Sequence, residues 1–594
     1  MKYNPNSHTA PSAYNAILYS LPTLTAILIS YNFLSFLHLK EAVLGLGLLL
    51  LALIAWRQPP IMPHPLRNAL WPLWGLLGYQ AFLHAWLHPV MDVVGWGETM
   101  LRLLLFLAVL HLCLPPRSIG FAIAWRRHCH IALISSAVIC ALLGLGQYFA
   151  LLQFIFPVFP GYEQAVYSVF GNQDLFGAYL ALGLVLLAES CCVPTPPDKP
   201  GHRLLLGGAA LLLGWGLLLS QSRSAWLAAA LGLVWLIYRH RNEIPWARIL
   251  EATTLRWLFP VVGLLLLLAF SQFGALSERI AQTFSESDTG GRLRLWFWEG
   301  ALHMIADHPL VGVGLGNFAY WSPQYLAEAL HSPWLVESHM HNTIHTLHAH
   351  SDLLEFLAEF GLLAIPLLLA IGVALHRGKL LWRPVTVAFL ALALINPLFR
   401  SIPHLLFLAL YWLSNARQVE TATDASKAPP SIGKANRYAR ALPVAAMALW
   451  IATHTIVVMI PSNRLTQAED AHLAMLHTEA PDLAAPLAEE AREAYLRCIE
   501  WPVRRPQAWE NFGKLELLLG DYQAAWTYLQ AATKSLDSGS VHWHAAQAAL
   551  HLGKVEAAQE HLLACLYRWP DHEAALQQLY MLSAPPETVE HRDP

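Results

Sequence analysis

The residues best suited to chemistry lie between Ser220 and Gly361. Histidines stand at 339, 341, 345, 348 and 350. His341 and His345 are spaced i,i+4, which places both on one helical face as metal sites require. No HExxH accompanies them and no carboxylate stands at metalloprotease spacing, so no metal is expected. His350 opens an apolar run, and a neutral imidazole there can take a proton from a hydroxyl or polarise a leaving group. The plain alternative is a histidine that only begins a helix. Arg223, Arg279, Arg292, Arg294 and Arg400 supply guanidinium groups, whose planar fork suits phosphate and carboxylate. The run Gly312-Val313-Gly314-Leu315-Gly316-Asn317 predicts a tight turn. Its backbone N–H groups could cradle a phosphate, yet it lacks the strand and lysine of a P-loop. It reads equally as a turn that leads the chain back toward the membrane.

These groups are set in a strongly apolar chain. Its 594 residues are 56% hydrophobic and only 13% charged, where soluble domains carry about 25% charge. A purely soluble enzyme, a disordered chain and a fibrous one are excluded. Apolar runs at 15–38, 41–56, 69–88, 99–114, 130–152, 169–190, 204–220, 226–238, 256–273, 350–375, 384–400, 404–416 and 441–460 predict about thirteen membrane spans. Basic loops alternate with loops such as 89–98 and 153–168 that hold no Lys or Arg. By the positive-inside rule the N-terminus is then cytoplasmic. The loop 274–349 and everything after Pro461 lie outside, which in a bacterium is the periplasm. Five arginines, at 223, 279, 292, 294 and 400, fall on the outer side against this trend. Arginine there is costly and faces either a partner, a water-filled cavity or the headgroups. The polar start MKYNPNSHTAPSAYN lacks a clustered basic segment, so no cleaved signal peptide is expected.

The end of the chain has a different character. Residues 461–594 hold 19 acidic and 10 basic residues, a net −9 against −3 for the whole chain. From about 484 to 580 the pattern is of amphipathic helices. Trp509 recurs as Trp543, Leu519-Gly520 as Leu552-Gly553, and Ala524-Ala525 as Ala557-Ala558. This period resembles the tetratricopeptide repeat, whose stacked helix pairs present a concave face to polypeptide. A helical cap that only steadies the membrane part is the alternative. Two cysteines, Cys498 and Cys565, lie in this segment, and the seven in the chain form no CxxC pair. The expected division is a membrane part, 1–460, and a periplasmic repeat domain, 461–594.

Four segments together resemble a known family. His350-Ser351, nine residues and Gly361 fit H-[NSQ]-x9-G of the O-antigen ligase and O-antigen polymerase superfamily, which includes pilin O-oligosaccharyltransferases. RLRLWFWEGALHMIADHPLVGVGLGNF from Arg292, SQSRSAWLA from Ser220 and FGNQDLFGAYLALG from Phe170 are similar to further segments of that family, in the same order. Two departures are Ala364, where a Gly, Thr or Tyr often follows the motif glycine, and the reading Asn172-Gln173-Asp174.

The resemblance implies an all-α, polytopic, GT-C-like helical bundle in the bacterial inner membrane. It implies a glycan donor on undecaprenyl diphosphate and an inverting transfer on the periplasmic face. Arg223 and Arg292 would clamp the diphosphate and stabilise charge on the leaving group, with Arg294 and Arg279 as further binding residues. His350 would orient or deprotonate the acceptor hydroxyl. Fixed arginines in a low-dielectric cavity replace a metal, and the diphosphate linkage supplies the energy, so no cofactor and no nucleotide is expected. Lipid A-core is one acceptor; a Ser or Thr of a protein, or a growing polysaccharide, is another. The repeat tail favours a protein, as acceptor or assembly partner; nucleic acid is not expected. A flippase or transporter, and a scaffold anchored in the membrane, are the readings of a different class.

Overall fold

The computed structural model describes residues 12–31, 35–55, 64–86, 93–113, 119–152, 155, 166–192, 200–241, 263, 289–330, 346–423, 437–478 and 481–583. Among these residues the chain is helical and has no strand. The first eight helices are α1 (Ser12–Ile27), α2 (Phe36–Ala55), α3 (His64–Trp86), α4 (Val93–Leu112), α5 (Ile119–Tyr148), α6 (Gln173–Cys191), α7 (Pro200–Leu219) and α8 (Arg223–His240). Then come α9 (Thr289–Asp307), α10 (Phe318–Ala329), α11 (Asp352–Phe360), α12 (Ile365–Arg377), α13 (Pro384–Ala393), α14 (Ile402–Thr423) and α15 (Arg437–His454). The apolar run 256–273, Gly263 aside, lies outside the described residues, as does Arg279.

Among the described residues, five helical stretches are long and apolar enough to cross a membrane: Leu37–Ile54, Val93–Leu112, Ala124–Tyr148, Gln173–Cys191 and Ala441–Leu476. A sixth arises if α11 and the stretch Leu362–Arg377 count as one span. Leu205–Leu219, Pro384–Ala393 and Ile402–Ala416 are shorter apolar helices. The other apolar runs meet helices with shifted ends; that from 15 to 38 is helical only to Ile27 before α2 begins at Phe36.

Burial follows from how apolar each helix is around its circumference. Every residue from Leu405 to Leu413 of α14 is buried, and so is nearly all of α6 from Phe176 to Leu187. Helices that are apolar on all faces can sit in the middle of a bundle. On α8, by contrast, Ala225, Ala228, Ala229 and Gly232 face inward while Leu227, Leu231, Val234 and Ile237 are exposed. The small residues allow close packing, since a Cβ on Gly177 of α6 would lie 3.0 Å from the Ala225 Cβ.

One expected span is broken. The run 350–375 bends by 107° between Phe360 and Leu362. Gly361 has φ +70°, and a Cβ there would lie 2.3 Å from the Leu310 carbonyl oxygen. Only glycine admits that approach. Past the bend, the Leu362 and Leu363 N–H groups donate to Pro309 and Leu310 carbonyls at 2.8 and 3.1 Å.

The C-terminal segment continues from α15 through a π-helical turn, Thr455–Met459, into α16 (Ile460–Leu476). There follow α17 (Pro481–Ile499), α18 (Pro506–Leu519), α19 (Tyr522–Ala532), α20 (Gly539–His551), α21 (Val555–Arg568) and α22 (Glu573–Ser583). Helices α16 and α17, α18 and α19, and α20 and α21 pack as successive antiparallel pairs. Left-handed Gly520 ends α18, and the equivalent Gly553 lies between α20 and α21, which accounts for the recurring Leu-Gly. Cys498 and Cys565 are buried free thiols in separate apolar clusters. Helix α21 touches α10, and Arg505, before α18, pairs with Glu98 of α4. The last helices are thus held against the rest of the chain.

Candidate functional site

The segment around Phe170 forms a short 3-10 turn, Ser168–Phe170, closed by left-handed Gly171. Asn172 then caps α6, its side-chain oxygen accepting from the Asp174 and Leu175 N–H groups at 2.7 and 3.1 Å. This leaves Asp174 in the first turn, where the helix dipole favours a carboxylate. Asp174 Oδ1 accepts from Ser222 Oγ at 2.6 Å, and Ser222 Oγ lies 3.1 Å from Ser224 Oγ. The SQSRSA segment thereby brings Arg223, the first residue of α8, next to the residue that holds Asp174.

The third segment arrives through α9. Arg294 Nη2 donates to Asp174 Oδ2 at 2.5 Å, across 120 residues of chain. Its Nε is buried and has no hydrogen-bond partner among the described residues. Arg292 lies two residues earlier on α9, roughly 200° around a helix of 3.6 residues per turn. It is half-buried.

His350 completes the cluster. It stands outside the helix, two residues before Asp352, with φ +51°. Its ring stacks on Phe297 of α9 with centroids 5.5 Å apart and planes at 24°. Burial, and next the nearby Arg294 charge, push the imidazole down to about 4. It is therefore neutral across the ordinary physiological range and able to accept a proton. Ser168, Gln221 and His350 are three of the five non-glycine residues with positive φ among those described. Left-handed backbone is uncommon outside glycine, and such strain gathers at functional sites.

The glycine-rich turn has another task. Gly312 has φ +68°, and a Cβ there would lie 2.5 Å from the Glu359 backbone; a Cβ on Gly316 would lie 2.6 Å from that of Trp96. The Val313 and Gly314 N–H groups donate to Ala358 and Glu359 carbonyls at 2.8 and 3.0 Å, and the Gly316 N–H to Glu359 Oε1 at 2.9 Å. These amides are engaged by the protein itself. The turn docks α9 and α10 onto the end of α11.

Of the residues expected from sequence, His350 and Arg294 are brought together, and Arg223 and Arg292 lie on the elements that carry the cluster. Arg279 and the pair His341 and His345 lie outside the described residues. Arg400, expected to face a partner or cavity, is paired with Glu355 and Glu359. Sequence reasoning did not select Asp174, Ser222, Glu355 or Glu359. A signal existed for the two glutamates: with Asp352 they make three carboxylates within a nine-residue helix that is otherwise apolar, and these require partners. Asp174 stood in a quoted motif, but its partner lies on a distant element.

No curated protein matches the chain. Residues 208–369 match the family model described as O-antigen ligase, a match that supports the O-antigen ligase superfamily for this segment.

Proposed function

We propose that this membrane protein, an O-antigen ligase-like glycosyltransferase at family level, moves a glycan from undecaprenyl diphosphate to an acceptor hydroxyl on the periplasmic face. The observation that carries the reading is the meeting of His350, Arg294, Asp174 and Ser222, from four separate segments, at one partly exposed cluster. A neutral imidazole beside fixed guanidinium groups suits deprotonation of a hydroxyl near a departing diphosphate. His350 takes the proton, while Arg223 and Arg292 bind the diphosphate and stabilise the charge that develops as the glycosidic C–O bond breaks. Attack from the opposite face of the anomeric carbon inverts its configuration. Arg294 contributes the positive charge of its guanidinium, and Arg279 is a further binding residue. The residues need neither metal nor nucleotide for these steps.

Lipid A-core is the acceptor of the leading reading, with residues 1–460 as the transferase and 461–594 as a periplasmic tetratricopeptide-like domain. A protein acceptor is the second reading, favoured by the contact of α21 with α10, the helix whose Ser322 donates to the Thr346 carbonyl at 2.9 Å. The test is transfer by His350→Ala, Arg223→Ala and Arg292→Ala proteins that reach the membrane at normal levels. Each should lose transfer, His350→Ala by about 10²–10⁴-fold. Full activity in all three ends the proposal. Mass spectrometry of lipopolysaccharide and of exported proteins, with and without the gene, separates the two acceptors.

A further inference from the structure

Arg400 broke the charge pattern of the sequence, and the catalytic reading leaves it unused. It belongs to a buried node. Arg400 Nε donates to Glu355 Oε1 at 2.9 Å, Nη2 reaches both Glu355 and Glu359, and Nη1 donates to Thr99 of α4. The turn Leu398–Arg400 is itself held by Asp352, whose Oδ2 accepts from the Leu398 and Phe399 N–H groups at 2.8 and 3.1 Å.

What this node grips is the chain on either side of the site. Glu355 Oε2 accepts from the N–H of Ala349, the residue before His350, at 3.0 Å. Glu355 Oε1 lies 3.3 Å from His348 Nδ1. Glu359 Oε1 holds the Gly316 N–H at 2.9 Å. One guanidinium therefore ties the loop that carries His350 to the turn that seats α9, and α9 carries Arg294 and Phe297. The stretch from Thr346 to His350 is not itself helical, and His350 sits at an unfavourable φ. Such a backbone persists only where its surroundings over-determine it.

We propose that Glu355 and Arg400 are positioning residues that set the His350 imidazole against Arg294 and Phe297. This deepens the glycosyl-transfer reading and rests on it for its kinetic consequence. Glu355→Gln keeps an acceptor for the Ala349 N–H but loses the charge that Arg400 and His348 share. Arg400→Lys keeps the charge but cannot span Glu355, Glu359 and Thr99 with one planar fork.

Both variants are made in the full-length chain. Membranes are supplied with an undecaprenyl-diphosphate-linked oligosaccharide, and release of undecaprenyl diphosphate is followed. The turnover should fall by up to about 100-fold, as expected for a misplaced reacting group, with little change in the KM for donor. In parallel, the rate of His350 carbethoxylation by diethyl pyrocarbonate is read by mass spectrometry and should change severalfold. Wild-type turnover, or an unaltered His350 rate in a variant that has lost turnover, overturns the proposal. If Glu355→Gln fails to accumulate, the charge-preserving Arg400→Lys carries the test. If His350→Ala itself releases donor normally, the transfer reading fails; the positioning proposal is then decided by the carbethoxylation rate alone.

Discussion

Two buried ionic groups invite comparison. The first joins His38, Glu41, Glu98, Arg102, His454 and Arg505. Glu98 accepts from Arg505 and from Arg102 at 3.2 Å, and Glu41 from Arg102 and from His454 at 2.9 Å. No side chain in it is more than 14% exposed. The second joins Asp174, Ser222, Arg294 and His350, with Asp174 and Arg294 exposed at 19% and 20%. Arg505 and Arg294 each leave Nε without a partner among the described residues, so an unpaired donor does not separate the groups. Their surroundings do. The first is the more buried, with Glu41 and His454 each 1% exposed, and ties helices α2, α4 and α15 to the C-terminal segment. The second is partly open and stands beside a neutral imidazole on strained backbone. A membrane protein carries buried charge for two reasons, to lock helices and to meet a substrate; solvent access and strain tell them apart.

That distinction is broken if changes in the two groups have the same consequence. Arg102→Met leaves Glu41 and Glu98 short of a partner and should cost about 3–5 kcal/mol of stability. Thermal unfolding in detergent would show it, and protein that remains folded should transfer normally. Arg294→Ala should do the reverse, lowering transfer by about 10²–10³-fold while the unfolding temperature holds nearly constant. A large loss of stability there would make Arg294 another lock.

Ser222→Ala sharpens the comparison at smaller scale. It removes one hydrogen bond to a carboxylate and should cost about 1.5 kcal/mol. Transfer should fall with it, since Asp174 is then free to turn away from Arg294; a double variant with Arg294→Ala should be less than additive.

The smallest effect is on pH. His350 is held near 4, below the usual histidine value of about 6.5. Transfer should stay level from neutrality downward and fail only as the solution approaches that value. In the same window, from about 6.5 down to 4, the unfolded chain binds a proton that the folded one refuses, so stability falls as pH falls. Arg294→Ala removes a neighbouring positive charge and should move the midpoint of residual activity upward.

Much of the fold was legible because its cause is local. The apolar runs that meet α2, α4, α5 and α6 are long stretches of consecutive residues, and a bilayer forces such stretches into helices. The recurring Leu519-Gly520 and Leu552-Gly553 told of repeated helix pairs for the same reason: each glycine serves its own turn. The break in the run 350–375 was not legible. Gly361 looks like one more small residue in a hydrophobic helix, and its need for glycine comes from Leu310, some fifty residues earlier.

The site divides in the same way. Residue types and topology alone drew attention to His350 and to the outer arginines, Arg294 among them, because such side chains at the mouth of a span are costly wherever the chain goes; the four segments came from the family resemblance. Tertiary structure alone decided that Asp174 meets Arg294 across 120 residues, that Arg400 holds Glu355 across 45 and that Arg505 reaches Glu98 across 407. An ion pair is a property of two surfaces brought into contact. Only the packing of whole helices, set by Gly177 against α8 and by the turn at Gly312 against α11, determines which charges meet.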